Sequence, residues 1–366
     1  MTGAESHHTV TLVPGDGIGP EVVDAARRAV DATGAAIEWD LHEAGVTAFE
    51  REGTPLPQRL VESVRRTGVA LKGPLATSTD AAYGSPSVAL RAALDLHTTI
   101  RPCSALEGVR APRSGADFVV VKMNHEDLYE RIGFPRGASA TTELGGLIRR
   151  TAGRELAEDA GVSIKPLSVA AARRVVGQAF EYARAHGRSR VTAVHKAPLM
   201  AETDGLFLEV AREVGAAYAD VTLDDELVDT LCERLVSQPS RYDVLVMSRM
   251  YGDIVSGLGA AMIGGPGMAP GVNVGEGCAV FEAVHGSAPR LAGQGRANSL
   301  ALIRTGAMLL RHLGESRAAD RLDQAVATLV REGRTLPADL GPAGAPASTA
   351  EVAEAVIAAL PLAGDA

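Results

Sequence analysis

The chain has 366 residues, 46% of them apolar, which allows a large core and two structural domains more readily than one. Its formal charge of −9, with arginines scattered among acids, excludes the basic footprint of a nucleic-acid binder and leaves a small-molecule partner. Apolar runs such as Val244 to Met247 are far shorter than a membrane span, no signal segment opens the chain, and Cys103, Cys232 and Cys278 suit neither a disulfide framework nor zinc, so a soluble cytoplasmic protein is expected.

In chain order, the first eight residues read as disordered, and the β-branched run Val10 to Val13 predicts a strand. The turn Val13-Pro14-Gly15-Asp16-Gly17-Ile18-Gly19-Pro20-Glu21 then leads into a helix from about Pro20, a residue suited to the first helical position. Its glycine spacing is not that of a dinucleotide fingerprint, so alone it reads equally as a tight connection. Further on, Ser85-Pro86-Ser87-Val88-Ala89-Leu90-Arg91 precedes Arg101-Pro102-Cys103, placing one guanidinium on a helix and another on the next strand. Two such forks can clamp a dicarboxylate, although an arbitrary pair of arginines is more often solvated.

The run Phe118 to Met123 predicts a strand with Lys122, Glu126, Asp127 and Tyr129 at its end. The clearest helix is Val169 to His186, where Ala172, Val176, Ala179, Phe180 and Ala183 share one face and Gly187 stops it. Another strand, Val191 to Val194, ends beside Lys196. Polar groups at strand ends often build sites in α/β proteins, yet singly Tyr129 suits packing and Lys196 a surface amine. Asp229 falls in a helical stretch from Asp224 to Val236, and Asp253 follows the strand Asp243 to Met247 at the start of a helix. Lone aspartates there cap or are solvated; converging, they suit Mg²⁺ or Mn²⁺. Phe281 to Pro289, with Asn298 beyond, is a Gly-containing loop whose ring and amide suit an adenine as well as a simple turn. A Pro/Gly/Ala-rich stretch from Leu336 to Ala347 reads as a surface loop, and Ser348-Thr349-Ala350-Glu351 is a capping box opening a last helix. This alternation predicts an α/β protein with a largely parallel sheet.

Joined in order, these segments resemble the isocitrate/isopropylmalate dehydrogenase family across nearly the whole chain. The most specific stretch runs from Tyr251-Gly252-Asp253-Ile254 through Gly264-Gly265 and Asn273-Val274-Gly275 to His285-Gly286-Ser287-Ala288-Pro289, supported by Lys72-Gly73-Pro74-Leu75, Glu126-Asp127-Leu128-Tyr129 and His195-Lys196. Ser85 to Arg91 and Thr203 to Phe207 look most like homoisocitrate dehydrogenases, and Arg101-Pro102-Cys103 is similar to NAD-linked isocitrate dehydrogenases. Gly84 and Ser87 speak against an isopropyl substituent.

The resemblance implies a large domain from both chain ends, residues 1–97 and 264–366, and a small dimerisation domain, residues 98–263. It implies a homodimer with shared active sites that oxidises and decarboxylates a 3-substituted malate, a small anionic hydroxy acid, with NAD or NADP and Mg²⁺ or Mn²⁺. By position Ser85, Ser87, Arg91, Arg101 and Lys122 would hold the substrate; Thr77, Glu282, His285, Gly286, Ser287, Ala288, Arg290 and Asn298 the coenzyme; Asp253 and the partner's Asp229 the metal. Lys196 of the partner would be the base and Tyr129 the acid. Lys122 and Gly257 stand where the family usually has an arginine and an aspartate, Arg249 and Pro198 replace asparagines, and Arg290 replaces the aspartate of NAD-linked members. The positive charge of Lys122 and Arg249 suggests an anionic substituent, a carboxylate or phosphonate. Alternatives are a non-catalytic regulatory subunit and a tartrate- or malate-type dehydrogenase without decarboxylation.

Overall fold

The computed structural model describes residues 7–78, 83–109, 115–341 and 346–362. The chain opens with β1 (His8–Val13), α1 (Gly19–Asp31), β2 (Ile37–Leu41), α2 (Val46–Glu52), α3 (Gln58–Thr67), β3 (Val69–Lys72) and α4 (Pro86–Ala93). It continues through β4 (Thr98–Ser104), β5 (Asp117–Met123), a small ribbon of β6 (Gly133–Phe134) and β7 (Val162–Ser163) around α5 (Ser139–Ala152), and α6 (Val169–Ala185). Next come β8 (Arg190–His195), α7 (Leu206–Gly215), β9 (Thr222–Leu227), α8 (Val228–Ser237), β10 (Val244–Met247) and α9 (Arg249–Met262). The end is β11 (Val272–Gly275), β12 (Cys278–Phe281), α10 (Leu300–His312), α11 (Ser316–Glu332) and α12 (Thr349–Ala358).

All strands except the ribbon join one ten-stranded sheet in the order β2-β1-β3-β12-β11-β4-β5-β10-β8-β9. Its flanks are parallel, as the alternation of strand and helix predicts; the middle is antiparallel at β12–β11, β11–β4 and β4–β5. The strands β5 and β10 carry near-continuous apolar runs because helices cover both faces. On α6 the predicted apolar face, with Val175 added, is fully buried, Ser168 caps the start, and Gly187 follows the end at φ +62°. The Ser348–Glu351 capping box forms as read.

Several expectations need correction. His8 belongs to β1; residues 1–6, also expected to be disordered, lie outside the described residues. The stretch from Asp224 is not helical, because Thr222–Leu227 pairs in register with β8 as the last strand of the sheet, and the helix bearing Asp229 begins at Val228. The helix bearing Asp253 begins at Arg249, so Asp253 sits one turn inside it. Of the loop from Leu336 to Ala347, residues 342–345 lie outside the described residues, and the rest includes Leu336 and Leu340 packed into the core.

Candidate active site

Asp253 is the centre of the first group of predicted residues. Its carboxylate accepts the Tyr129 hydroxyl at 2.5 Å, lies 3.1 Å from the Lys122 ammonium and 4.0 Å from the Arg101 guanidinium. Burial pushes its carboxyl up, but Lys122, the Tyr129 hydroxyl and Arg101 outweigh that and hold it below the usual carboxylate range. Lys122 is 2% exposed, and burial, with Arg101 adding repulsion, pushes its ammonium down to about 7. This packing depends on Gly252: a Cβ there would fall 2.3 Å from that of Lys122. Burial and the Asp253 hydrogen bond push Tyr129 up to about 12, keeping it a proton donor at neutral pH. Arg249 stacks its guanidinium 4.1 Å from the centre of the Tyr129 ring.

The turn that presents Tyr129 is strained, with Glu126, Asp127 and Arg131 at φ +59°, +63° and +55°. Two carboxylates fix it. Asp127, fully buried, accepts the Met250 and Leu128 amides at 2.8 Å each and so ties the turn to the start of α9. Glu126 accepts both the amide and the hydroxyl of Ser168 at 2.6 Å.

Arg91 of α4 meets the second group. It lies 3.6 Å from Glu282, whose other ion-pair partner is Lys72 at 2.5 Å, and its Nε is buried with no partner. Burial raises the Glu282 carboxyl, but Lys72 and Arg91 hold it down at about 2. Buried amides then link the two groups across the sheet: Asn273 donates to Glu282 at 2.7 Å, the Thr99 hydroxyl lies 2.7 Å from the side-chain oxygens of both Asn273 and Asn124, and Lys122 reaches Asn124 at 3.4 Å. Neither Thr99 nor Asn124 stands out in the sequence; only strand pairing brings them together. Ser85 starts α4 with its hydroxyl 3.3 Å from that of Thr77, and Ser87 is half-buried one turn before Arg91.

Several of the predicted coenzyme residues lie beside the opening turn. Ile18 donates its amide to the Ser287 carbonyl at 2.9 Å, and a Cβ on Gly17, at φ +62°, would sit 1.9 Å from that oxygen. Asp16 serves structure, accepting the amides of Val46 and Ala76 at 2.8 and 2.7 Å. His285, Asn298, Ile18 and Leu291 line a cavity of about 210 Å³ together with Asp339, whose carboxylate accepts the Asn298 amide at 3.1 and 3.2 Å. Burial pushes the His285 imidazole down, and its Nε2 is buried without a partner, which fits a nitrogen base stacked or bonded there. Asp339 was hidden in the Pro/Gly/Ala-rich segment. Glu282 is set back from this cavity by its ion pairs with Lys72 and Arg91; Gly286 and Ala288 shape the loop, with Ala288 at φ +36°, and Arg290 is exposed on a short 3-10 turn.

Lys196 and Asp229 form a separate pair by a direct salt bridge. No hydrogen bond or ion pair among the described residues joins it to Asp253 or Tyr129. Buried Asp204, which sequence reading also missed, anchors Lys196 by accepting its amide at 2.7 Å, together with the Tyr251 hydroxyl at 3.0 Å and the Lys165 ammonium. Among the described residues no three His, Cys, Asp or Glu side chains converge as a metal site. Oxygen donors of the kind Mg²⁺ and Mn²⁺ take are therefore divided between two places in one chain.

Residues 9–356 match the isocitrate/isopropylmalate dehydrogenase family. The chain belongs to that family. Isocitrate dehydrogenase (NAD) catalytic subunit 5, mitochondrial, of Arabidopsis thaliana is 40% identical over 334 residues, covering 91% of this chain and 84% of that protein. The alpha subunit of Homo sapiens isocitrate dehydrogenase (NAD), mitochondrial, is 40% identical over 336 residues, 91% of this chain and 86% of its own. Isocitrate dehydrogenase of Methylococcus capsulatus superposes with a TM-score of 0.87 at 41% identity over 96% of this chain and 99% of that one. The α/β architecture and mostly parallel ten-stranded sheet are those of this family, whose members are NAD(P)-dependent, metal-using, β-decarboxylating dehydrogenases of hydroxy acids.

Proposed function

We propose that the protein oxidises and decarboxylates a 3-substituted malate of the isocitrate or homoisocitrate type, as a homodimer whose two active sites each draw on both subunits. The observation that carries this reading is the Asp253 carboxylate, bonded at once to Tyr129 and Lys122 with Arg101 behind them. Arg101 and Arg91 present guanidinium forks to the two malate carboxylates, and Lys122 adds a compact third charge for an anionic substituent, a carboxylate or phosphonate. Lys196 of the partner subunit takes the proton of the C2 hydroxyl, and Tyr129 protonates the carbon left when carbon dioxide departs. Asp253 and the partner's Asp229 would hold a divalent cation, which supplies Lewis-acid polarisation of the C2 oxygen. Thr77, Glu282 and the loop from His285 to Arg290 with Asn298 would hold the nicotinamide coenzyme, which would supply the acceptor for the hydride of C2.

Two features support the dimer. The base and second metal aspartate form a pair of their own, apart from Asp253, and many exposed large apolar side chains, among them Ile132, Leu147, Leu199, Val236 and Ile254, fall between residues 128 and 254. They lie in the span 98–263 proposed as the small domain, with 1–97 and 264–366 forming the large one. The missing carboxylate at Gly257 favours the regulatory-subunit reading as the alternative. Purified protein offered isocitrate, homoisocitrate, isopropylmalate, a phosphonomethyl analogue, tartrate and malate, each with NAD or NADP and Mg²⁺ or Mn²⁺, tests both. Nicotinamide reduction with equal carbon dioxide release supports the proposal; reduction without it points to a tartrate- or malate-type dehydrogenase, and neither with any acid overturns catalysis.

A further inference from the structure

Side chains alternate across a strand, so the strands that carry the active site on one face also carry a second surface on the other. On β4, Thr99 and Arg101 face the site, and Ile100, Pro102 and Ser104 face away; on β11, Asn273 faces the site, and Val272 and Val274 face away. Behind these strands lies a cavity of about 840 Å³, a volume within the range of small-molecule sites. Its floor is apolar, completed by Phe281. Its walls are α6 on one side and α10 with α11 on the other. The α6 wall offers an aromatic face, the ring of Tyr182 stacked on His186 at 3.9 Å and 15°.

The charges lining this cavity are unequal in their compensation. Arg188 is held by Asp117 and Asp243 at 2.9 and 3.0 Å, and Arg311 by Asp320 and Asp323 at 2.6 and 2.7 Å. Arg304 differs. It is 8% exposed and donates only to backbone carbonyls, Met268 at 2.6 Å and Ser104 at 3.2 Å, and among the described residues no carboxylate stands within ion-pair distance. Glu181 and Asp323 also line the cavity: Glu181 accepts the Tyr218 hydroxyl at 2.7 Å, and Asp323, engaged by Arg311, acts on Arg304 only through space. A buried guanidinium bonded to two neutral oxygens keeps its full charge and unused N–H groups, and a buried charge is costly until it is paired.

We infer that this cavity is a binding site for a small aromatic monocarboxylate. With no carboxylate in contact among the described residues, the Arg304 guanidinium offers its remaining N–H groups to one anionic group. The planar guanidinium matches a carboxylate, while the apolar floor and the Tyr182–His186 stack take a flat ring. The site shares a strand with Arg101 but no side chain with the active site, so occupancy can be read without turnover.

The test uses the full chain and 2-naphthoate, followed by its fluorescence and by ligand-observed NMR. One molecule should bind per subunit, and Ala327→Trp, which fills the cavity from α11, should abolish it. Arg304→Met should weaken binding by about tenfold, as should replacing naphthoate with neutral 2-naphthylmethanol. Circular dichroism checks that Arg304→Met folds; if it does not, Ala327→Trp and the neutral alcohol still decide. The inference is overturned by the absence of saturable binding, by unchanged affinity in Ala327→Trp, or by equal affinity for acid and alcohol.

Discussion

Asp253 lies one turn inside its helix and Asp229 in the first turn of its own, and the chain treats the two aspartates differently. Asp253 is two-thirds buried, bonded to Tyr129, faced by Lys122 and Arg101, and held by a helix whose start is pinned through Asp127. Asp229 is 64% exposed and its one ion pair among the described residues is with Lys196, whose hydrogen bond, with help from backbone amides, draws its carboxyl below the usual range. The first is a half-site finished within one chain. The second is a lysine and a carboxylate paired with each other at the surface. On the proposed reading a second subunit resolves this, because Asp229 turns to the cation beside the partner's Asp253 and frees Lys196.

The largest expected effects test that division. Lys196→Ala and Tyr129→Phe should each lower turnover by on the order of 10²–10⁴ while the protein stays folded, as expected for lost proton transfer. Dissociating and reassociating the two inactive variants together should then restore activity, since one mixed site would take Tyr129 from the first subunit and Lys196 from the second. With random pairing the recovery is about a quarter of wild type. Activity no greater than the sum of the separate variants would place Lys196 and Tyr129 in the same chain's site and break the comparison.

What the sequence reveals follows where its signals are local. Helix α6 is legible because its apolar residues recur at 3.6 spacing, and Arg91 and Arg101 are legible because a helix and the next strand carry them. The strand Thr222–Leu227 is not, because at the end of the sheet its polar Asp224, Asp225 and Glu226 blur any alternation. The start of α9 is hidden for a different reason: its amide at Met250 is satisfied by Asp127, more than a hundred residues earlier. Thr99, Asn124 and Asp339 are missed on the same ground, each acquiring its role from a partner distant in sequence.

A smaller effect is expected at the coenzyme end. Asp339 and Asn298 give the cavity beside His285 an acceptor and an amide, whereas Arg290 stands exposed with no ion pair among the described residues. Such a guanidinium can pair with a ribose 2′-phosphate, so NADP should be preferred over NAD. Arg290→Asp should shift the kcat/KM ratio of NADP to NAD toward NAD by about tenfold. An unchanged ratio would show that Arg290 does not read the 2′ position.

The smallest effect sharpens the Asp253 half-site itself. Gly257 lies four residues after Asp253, one turn further along the same face of α9. A Cβ built there meets nothing within 4 Å, so an aspartate enters open space and cannot clash its way into a new fold. Its carboxylate would stand beside the Asp253 carboxylate without an ammonium of its own, since Lys122 already serves Asp253. Two neighbouring carboxylates repel when empty, and a divalent cation relieves that repulsion while gaining an oxygen ligand. Gly257→Asp should therefore tighten Mg²⁺ several-fold, seen by calorimetry without substrate, at a small cost in thermal stability of the metal-free protein. Glycine to aspartate also costs little as helix propensity, so a large loss of stability would come from charge repulsion and should disappear as Mg²⁺ is added. Equal Mg²⁺ affinity in both proteins would mean that the cation does not sit on this face of α9, and Asp253 would then serve only as the partner of Tyr129, Lys122 and Arg101.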